Sequence, residues 1–403
     1  MKNKNLLNLC IGVMVLFFAI SCTKDQVIGD TELEETTLSD SFSFEDAKQT
    51  LAKDGYDVSD LYARTFKNIV TDVEEKFFVL QGDVGFTEQQ LKEMVSQHGE
   101  NPNAKHFRTN NTVTGLPRTL SIYGMVKPGD DRSLNPMFQK AVQHAVNVYN
   151  SLNLTLKFSV EFGSNVKSAS ADIKIVADET LSKLRGFAEY PDMNGNPGDL
   201  VRLNPFPNGI PASNETIAYL VVFHELGHAI GLRHTDYFNR RFSCNDGPAD
   251  EDQFDGAIPI DGTTSFTDID PLSIYLSCLR NPGTGPTAMD KIALQALYGP
   301  RLEFPDLADW PFVRSGYVGG ISKPGHIKSN TNWRIVPSSF WFSPIPSSGR
   351  GDGEFVIQIQ RYDAPPCEQR KGYFTIIGEG VKKEIEIDVI QISRLLGPNE
   401  ECP

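Results

Sequence analysis

The sequence predicts an α+β chain: a twisted sheet packed against helices, followed by a small all-β sandwich. Three observations carry this. From Thr119 to Tyr298, stretches of helical apolar periodicity alternate with stretches of strand periodicity. After about residue 300 only short β-rich runs remain, set between Pro, Gly and Ser turns. In mid-chain, Ile217, Leu220, Val221, His224 and His228 follow i, i+3, i+4, i+7 spacing, so one helix carries two histidines on its apolar side.

The chain opens with Lys2 and Lys4, an apolar run from Leu6 to Ile20, and Ala19-Ile20-Ser21 before Cys22. A charged start, an apolar middle and small residues ahead of a cysteine read as an export signal. It resembles a bacterial lipoprotein signal. That resemblance implies loss of residues 1–21, a lipid on Cys22, and a place at the outer membrane or cell surface. Ordinary cleavage and secretion is the alternative. Residues 22–44 are polar and acidic without a period, and read as a flexible tether.

Residues 45–111 form a mixed block, with a helix expected at Phe44–Lys53 and another around Glu88–Gln97. No sustained apolar run is present, so the block reads as a small module or as a segment that packs on something else. A strand is expected at Thr119–Val126. Asn135-Pro136 opens a helix, with proline at a tolerated first position and a stripe through Phe138, Ala141, Ala145 and Tyr149. Leu154, Leu156, Phe158, Val160 and Phe162 alternate with polar residues, which gives a strand with one dry face. Asp172–Ala177, Gly186–Tyr190 and Asp199–Leu203 read as further strands, ahead of the histidine-bearing helix. Residues 245–270 are acidic and read as a solvated loop, since no calcium-loop spacing is present. A helix over Thr287–Tyr298 closes this part, which is assigned to residues 112–300. The sandwich is expected over residues 308–397, with strands at Glu354–Ile359, Tyr373–Ile377 and Glu384–Ile392. It holds all three tryptophans, Trp310, Trp333 and Trp341.

Net charge is −14, which argues against a nucleic-acid partner. Of six cysteines, Cys10 lies in the signal and Cys22 precedes the tether. Cys244, Cys278, Cys367 and Cys402 remain. In an exported chain, pairing neighbours (Cys244 with Cys278, Cys367 with Cys402) keeps each bridge within one expected domain. Four free buried thiols are the alternative.

The strongest local signal is His224-Glu225-Leu226-Gly227-His228-Ala229-Ile230-Gly231-Leu232-Arg233-His234. His224 and His228 are one turn apart and leave the same face. Gly231 can adopt the backbone that ends a helix and turns the chain back. His234 then reaches the same metal as a third ligand. Three imidazoles with an open fourth position suit a catalytic Zn2+ ion, and Glu225 is placed to take a proton from its water.

This motif resembles the metzincin clan of zinc metallopeptidases. With Thr235-Asp236-Tyr237-Phe238-Asn239-Arg240, Ser243-Cys244 and Asp270-Pro271-Leu272-Ser273, it resembles one branch, the dual-action HEIGH (protease-B-like) metallopeptidases. Asp290–Gly299 is similar to the helix that ends many such domains. The resemblance implies a twisted, mainly parallel five-stranded sheet over the active-site helix, and an edge strand that pairs with extended peptide. Gly186–Tyr190 is the candidate edge. Metzincins place a methionine in a turn beneath the zinc; here alignment puts Tyr275 there, either packing under the histidines or offering its hydroxyl to the site.

Leu80-Gln81-Gly82-Asp83 is similar to the Phe-x-Gly-Asp stretch of astacin propeptides. That resemblance implies that Asp83 covers the zinc until the N-terminal segment is cut away. No cysteine lies between Cys22 and Cys244, so a cysteine switch is excluded from this segment. The C-terminal part resembles a BACON module through Ser329-Asn330-Thr331-Asn332-Trp333, Trp341-Phe342-Ser343-Pro344 and Val389-Ile390-Gln391. That resemblance implies a glycan partner, or simply a spacer. The resulting expectation is an exported zinc metalloendopeptidase acting on peptide or protein substrates. The alternative is a non-catalytic, glycan-binding or adhesive lipoprotein that keeps the shell.

Overall fold

The structure, a computed structural model, describes residues 42–68, 73–94, 106–165, 170–181, 184–205, 210, 214–244, 257–263, 269–279, 285–310 and 319–393. The expected export signal, Cys22, most of the expected tether and the acidic stretch 245–256 lie outside these residues. Among the described residues, no helix is long and apolar enough to cross a membrane.

The N-terminal block begins with α1 (Phe44–Lys53), as its pattern requires. Ser43 starts it with a capping box: Ser43 Oγ accepts from the Asp46 amide at 3.1 Å, and Asp46 accepts from the Ser43 amide at 2.7 Å. Three strands follow, β1 (Tyr62–Lys67), β2 (Glu74–Leu80) and β3 (Val84–Thr87), as an antiparallel meander. The second expected helix, α2, is only Glu88–Lys92, capped by Thr87 and Gln90. After β4 (Phe107–Arg108), the main sheet is built from β5 (Arg118–Met125), β6 (Leu156–Gly163), β7 (Ile173–Ala177), β8 (Gly186–Glu189) and β9 (Leu200–Leu203). Helix α3 (Pro136–Ser151) crosses between β5 and β6, with Asn135 accepting from the Phe138 amide as its cap.

Strands β6, β5, β7 and β9 are parallel, while β8 runs antiparallel to β9. The mainly parallel sheet is therefore as expected, but its edge is not. β3 lies parallel against β8, pairing Val84 with Ala188 and Gly85 with Glu189. The sheet thus has eight strands in the order β1-β2-β3-β8-β9-β7-β5-β6. The expected open edge at Gly186–Tyr190 is covered by the N-terminal block. The physical reason is visible in its composition: Phe66 and Phe77 have no core of their own and pack on Phe187.

Helix α4 (Glu215–Ala229) packs against α3, β8 and β9. It is followed by a short helix, α5 (Arg241–Cys244), by β10 (Ile258–Pro259), which pairs with β4, and by α6 (Ala288–Tyr298). Residues 106–109, counted with the N-terminal block from sequence, are tied into this part. Phe107 O accepts from the Arg233 amide, and the Thr109 amide donates to Gly231 O, both at 2.9 Å.

The C-terminal module has two antiparallel sheets around one core containing Trp310, Trp333, Trp341, Phe355 and Phe374. It begins earlier than expected, where Leu302–Glu303 pairs with Gly325–Ser329. Trp333 and Trp341 are buried, so neither ring offers a face for stacking on a sugar.

Candidate metal centre

Sequence periodicity gave α4 one apolar stripe. The structure buries every residue from Ala218 to Ala229. A helix enclosed on all sides must be apolar nearly all round. Its two histidines and Glu225 therefore sit where water is scarce. The helix ends at Ile230, and Gly231 takes φ +102°, a conformation that glycine adopts without strain. A side chain there would also meet Asn111 O at 2.9 Å. The turn brings His234 back beside the helix.

The three Nε2 atoms face one another at 2.9 Å (His224–His228), 3.2 Å (His224–His234) and 3.2 Å (His228–His234). Ligand atoms about 2.0–2.1 Å from a tetrahedral zinc lie roughly 3.3 Å apart, so a single ion fits between them. The other ring nitrogens confirm the tautomers. Nδ1 of His224 donates to Ile274 O at 2.7 Å, that of His228 to Leu232 O at 2.8 Å, and that of His234 to Gln81 Oε1 at 3.2 Å. Each of these oxygens can only accept, so each Nδ1 carries the proton and each Nε2 turns a lone pair inward. Three buried lone pairs aimed at one point repel unless a cation sits there. Burial, and then the neighbouring imidazoles, hold His228 well below the ordinary histidine range.

Asp83 provides the fourth corner. Its Oδ2 lies 3.3 Å from His234 Nε2 and 3.7 Å from His224 Nε2, and the four side chains form one group able to hold a metal. Burial works to raise the Asp83 carboxyl, but positive charge at the cluster, whether on His234 and His224 or on an ion between them, outweighs it and lowers the group below its ordinary range. The main chain of the same residue joins the sheet, with Asp83 O accepting from the Ala188 amide at 3.1 Å.

Glu225 lines the same cavity, of about 590 Å³, with His224, Asp83 and Gly186. Its Oε2 is buried without a partner. Burial first, and then the nearby Asp83 charge, push its carboxyl well above the ordinary range. Gly186 is the residue that sequence reasoning missed here. A Cβ at that position would lie 2.2 Å from Glu225 Oε1, so the strand leaves room for the carboxylate only because it carries no side chain.

Tyr275 lies on the floor. Its ring fills the space beside Gly227 and stands 6.2 Å from the His224 ring, centre to centre. Its hydroxyl is turned away, 3.0 Å from the Tyr149 hydroxyl, which donates onward to Phe223 O. The turn holding it is fixed by Asp290, which accepts from Ser273 Oγ at 2.6 Å and the Ile274 amide at 3.1 Å, and faces His106 Nε2 at 2.6 Å. Ile274 O is the acceptor for His224, so Asp290 orients a ligand through two links. Sequence gave Asp290 only as part of the closing helix; its role depends on contacts across the chain.

Cys244 and Cys278 form the expected disulfide at one side of the cavity. Cys367 is also disulfide-bonded, while Cys402 lies outside the described residues.

No curated protein matches the chain. Among solved structures, a Bacteroides ovatus GH5 xyloglucanase in complex with a XXXG heptasaccharide is similar at 20% identity and a TM-score of 0.21. That likeness covers 23% of this chain and 19% of the xyloglucanase, and at such a score it carries no argument. The sequence of residues 78–298 matches the dual-action HEIGH metallo-peptidase family. The match takes in Asp83, the three histidines, Glu225 and Tyr275. It spans 221 of 403 residues, more than half, and the chain belongs to the dual-action HEIGH metallopeptidases, a family of zinc enzymes.

Proposed function

We propose that this metallopeptidase is an exported endopeptidase, made latent, in which Glu225 is the general base and acid. The observation that carries the reading is that three Nε2 atoms meet at one point, while His224 and the unpartnered buried carboxylate of Glu225 line one cavity. Zinc held by His224, His228 and His234 would lower the pKa of a water and polarise the scissile carbonyl. Glu225 takes the proton from a water at the fourth corner and passes it to the leaving amine. Burial, the larger cause of its raised pKa, stays when the N-terminal block leaves, and a raised pKa makes the carboxylate a stronger base. β8 offers main-chain groups to an extended peptide once β3 is gone, which requires no chain end and favours internal bonds.

Latency follows from the same contacts. Asp83 stands where the water must bind, and β3 occupies the strand edge that a peptide would use. Because residues 106–109 are bonded beneath the zinc helix, we place the maturing cut before His106 rather than after residue 111. Cys22 carries the lipid in this reading, and the C-terminal module is a BACON-like spacer. Any glycan partner there would have to use a surface other than the Trp333 and Trp341 rings.

Glu225→Ala tests the chemistry. It should keep stoichiometric zinc while hydrolysis of a peptide library falls by about 10²–10⁴. Retained turnover would place the base elsewhere. Fatty-acid labelling that persists in Cys22→Ser would reject the lipid assignment.

A further inference from the structure

The cleft holds one ion pair that the hydrolysis does not use. Arg240 follows the third histidine by a short turn and lines the cavity of His224 and Glu225. Its Nη2 lies 2.6 Å from Asp60 Oδ2, with side chains 11% and 30% exposed. Asp60 belongs to the N-terminal block, just ahead of β1, and its Oδ1 is buried without a partner. Asp60 therefore enters the cleft beside Asp83 but from a different loop.

Arg240 stands on a fixed base. Its carbonyl accepts from the Ser243 and Cys244 amides at 3.2 and 2.8 Å. Ser243 Oγ accepts from the Cys278 amide at 2.9 Å, and the Cys244–Cys278 disulfide joins the same two segments. The second of those segments carries Ile274, the acceptor for His224. The guanidinium is thus held in register with the zinc ligands. It cannot lose its charge, and a half-dry cleft wall demands an anion to face it.

Removing the N-terminal block takes Asp60 and Asp83 out together. Among the described residues lining the cavity, the charged side chains that remain are Arg185, Arg240 and Glu225. With the block gone, two guanidinium groups and one carboxylate would face the cleft. We infer that Arg240 selects an acidic side chain, Asp or Glu, at one fixed subsite of the peptide substrate, and that Asp60 fills that subsite in the uncut chain. The inference rests on the peptidase reading. A mere latch for the N-terminal block would need Arg240 too, but would leave cleavage preference untouched.

The test uses the full chain with a protease site introduced between residues 95 and 105, cut after purification. Wild type, Arg240→Lys and Arg240→Glu are then given a proteome-derived peptide library and matched Glu/Gln substrates. Wild type should enrich Asp and Glu at one position relative to the cut bond, with kcat/KM about 10–100-fold above the amide-bearing match. Arg240→Lys should keep that preference in weakened form, and Arg240→Glu should move it to Lys and Arg at the same position. Cleavage by wild type without acidic enrichment, or an unchanged profile in a folded Arg240→Glu, overturns the inference and leaves the peptidase reading intact. A zinc-loaded wild type that cuts no peptide overturns both.

Discussion

Replacing Asp83 with Ala in the uncut chain separates the two obstacles that the proposed latency assigns to the N-terminal block. The carboxylate at the fourth corner is lost, 3.3 Å from His234 Nε2. The strand obstacle stays, because the Ala188 amide bonds to the main-chain oxygen of residue 83 and β3 still pairs with β8. Facing zinc rather than a ring N–H, such a carboxylate contributes at least what a charge-assisted hydrogen bond does, about 1.5–3 kcal/mol. That corresponds to roughly 10–150-fold more open sites, hence more hydrolysis, in the uncut variant. Activity should remain below that of the cut chain, since peptide must still displace β3. The pH profile gives a second readout. Asp83 charge is one cause of the raised Glu225 pKa. In its proposed role as base Glu225 acts when ionised, so activity should rise with pH through that pKa. Without Asp83 the acid limb should move to lower pH and coincide with that of the cut enzyme. The assay is fluorogenic peptide hydrolysis with zinc counted per chain and gels to show that the block is still attached. Unchanged latency with zinc bound would refute the carboxylate block.

Three further outcomes are expected. Gly186→Ala should keep zinc yet lower kcat by at least about 100-fold, because the new methyl displaces the Glu225 carboxylate; full activity would mean that the base has room to move. Tyr275→Phe should cost about 1 kcal/mol in thermal unfolding through the lost Tyr149 bond and leave kcat/KM nearly unchanged, whereas a large kcat loss in a folded variant would give the hydroxyl a chemical part. Glu189, under β3, has its pKa raised by burial and then by Asp199. For a carboxyl raised on folding, the stabilisation is full below about pH 4.5 and is lost as pH rises through the folded value. Glu189→Gln should therefore flatten the decline of Tm with pH, and an unaltered slope would exclude Glu189 as its source.

The zinc ligands were legible because the chemistry is local. Two histidines one turn apart, a glycine and a third histidine specify a metal site within eleven residues. Asn135-Pro136 likewise marked the start of α3, whereas the Ser43–Asp46 capping box of α1 emerged only from the structure. The apolar stripe on α4 underestimated its burial, since periodicity reports one face and cannot show how many neighbours enclose the others. The sandwich was read from its longer runs, whereas the two-residue strand Leu302–Glu303 has no pattern to see.

What the sequence determined by itself is the donor set, the helix that presents it and the alternation that layers helices on a twisted sheet. These rest on spacings of a few residues, which backbone geometry converts directly into position. Tertiary structure alone decided that β3 closes the edge of β8, that Gly186 makes space for Glu225, that Asp290 holds the turn behind His224, and that Asp60 faces Arg240. Each of those joins residues far apart in the chain, where packing of the whole core sets the distance and no local period can encode it.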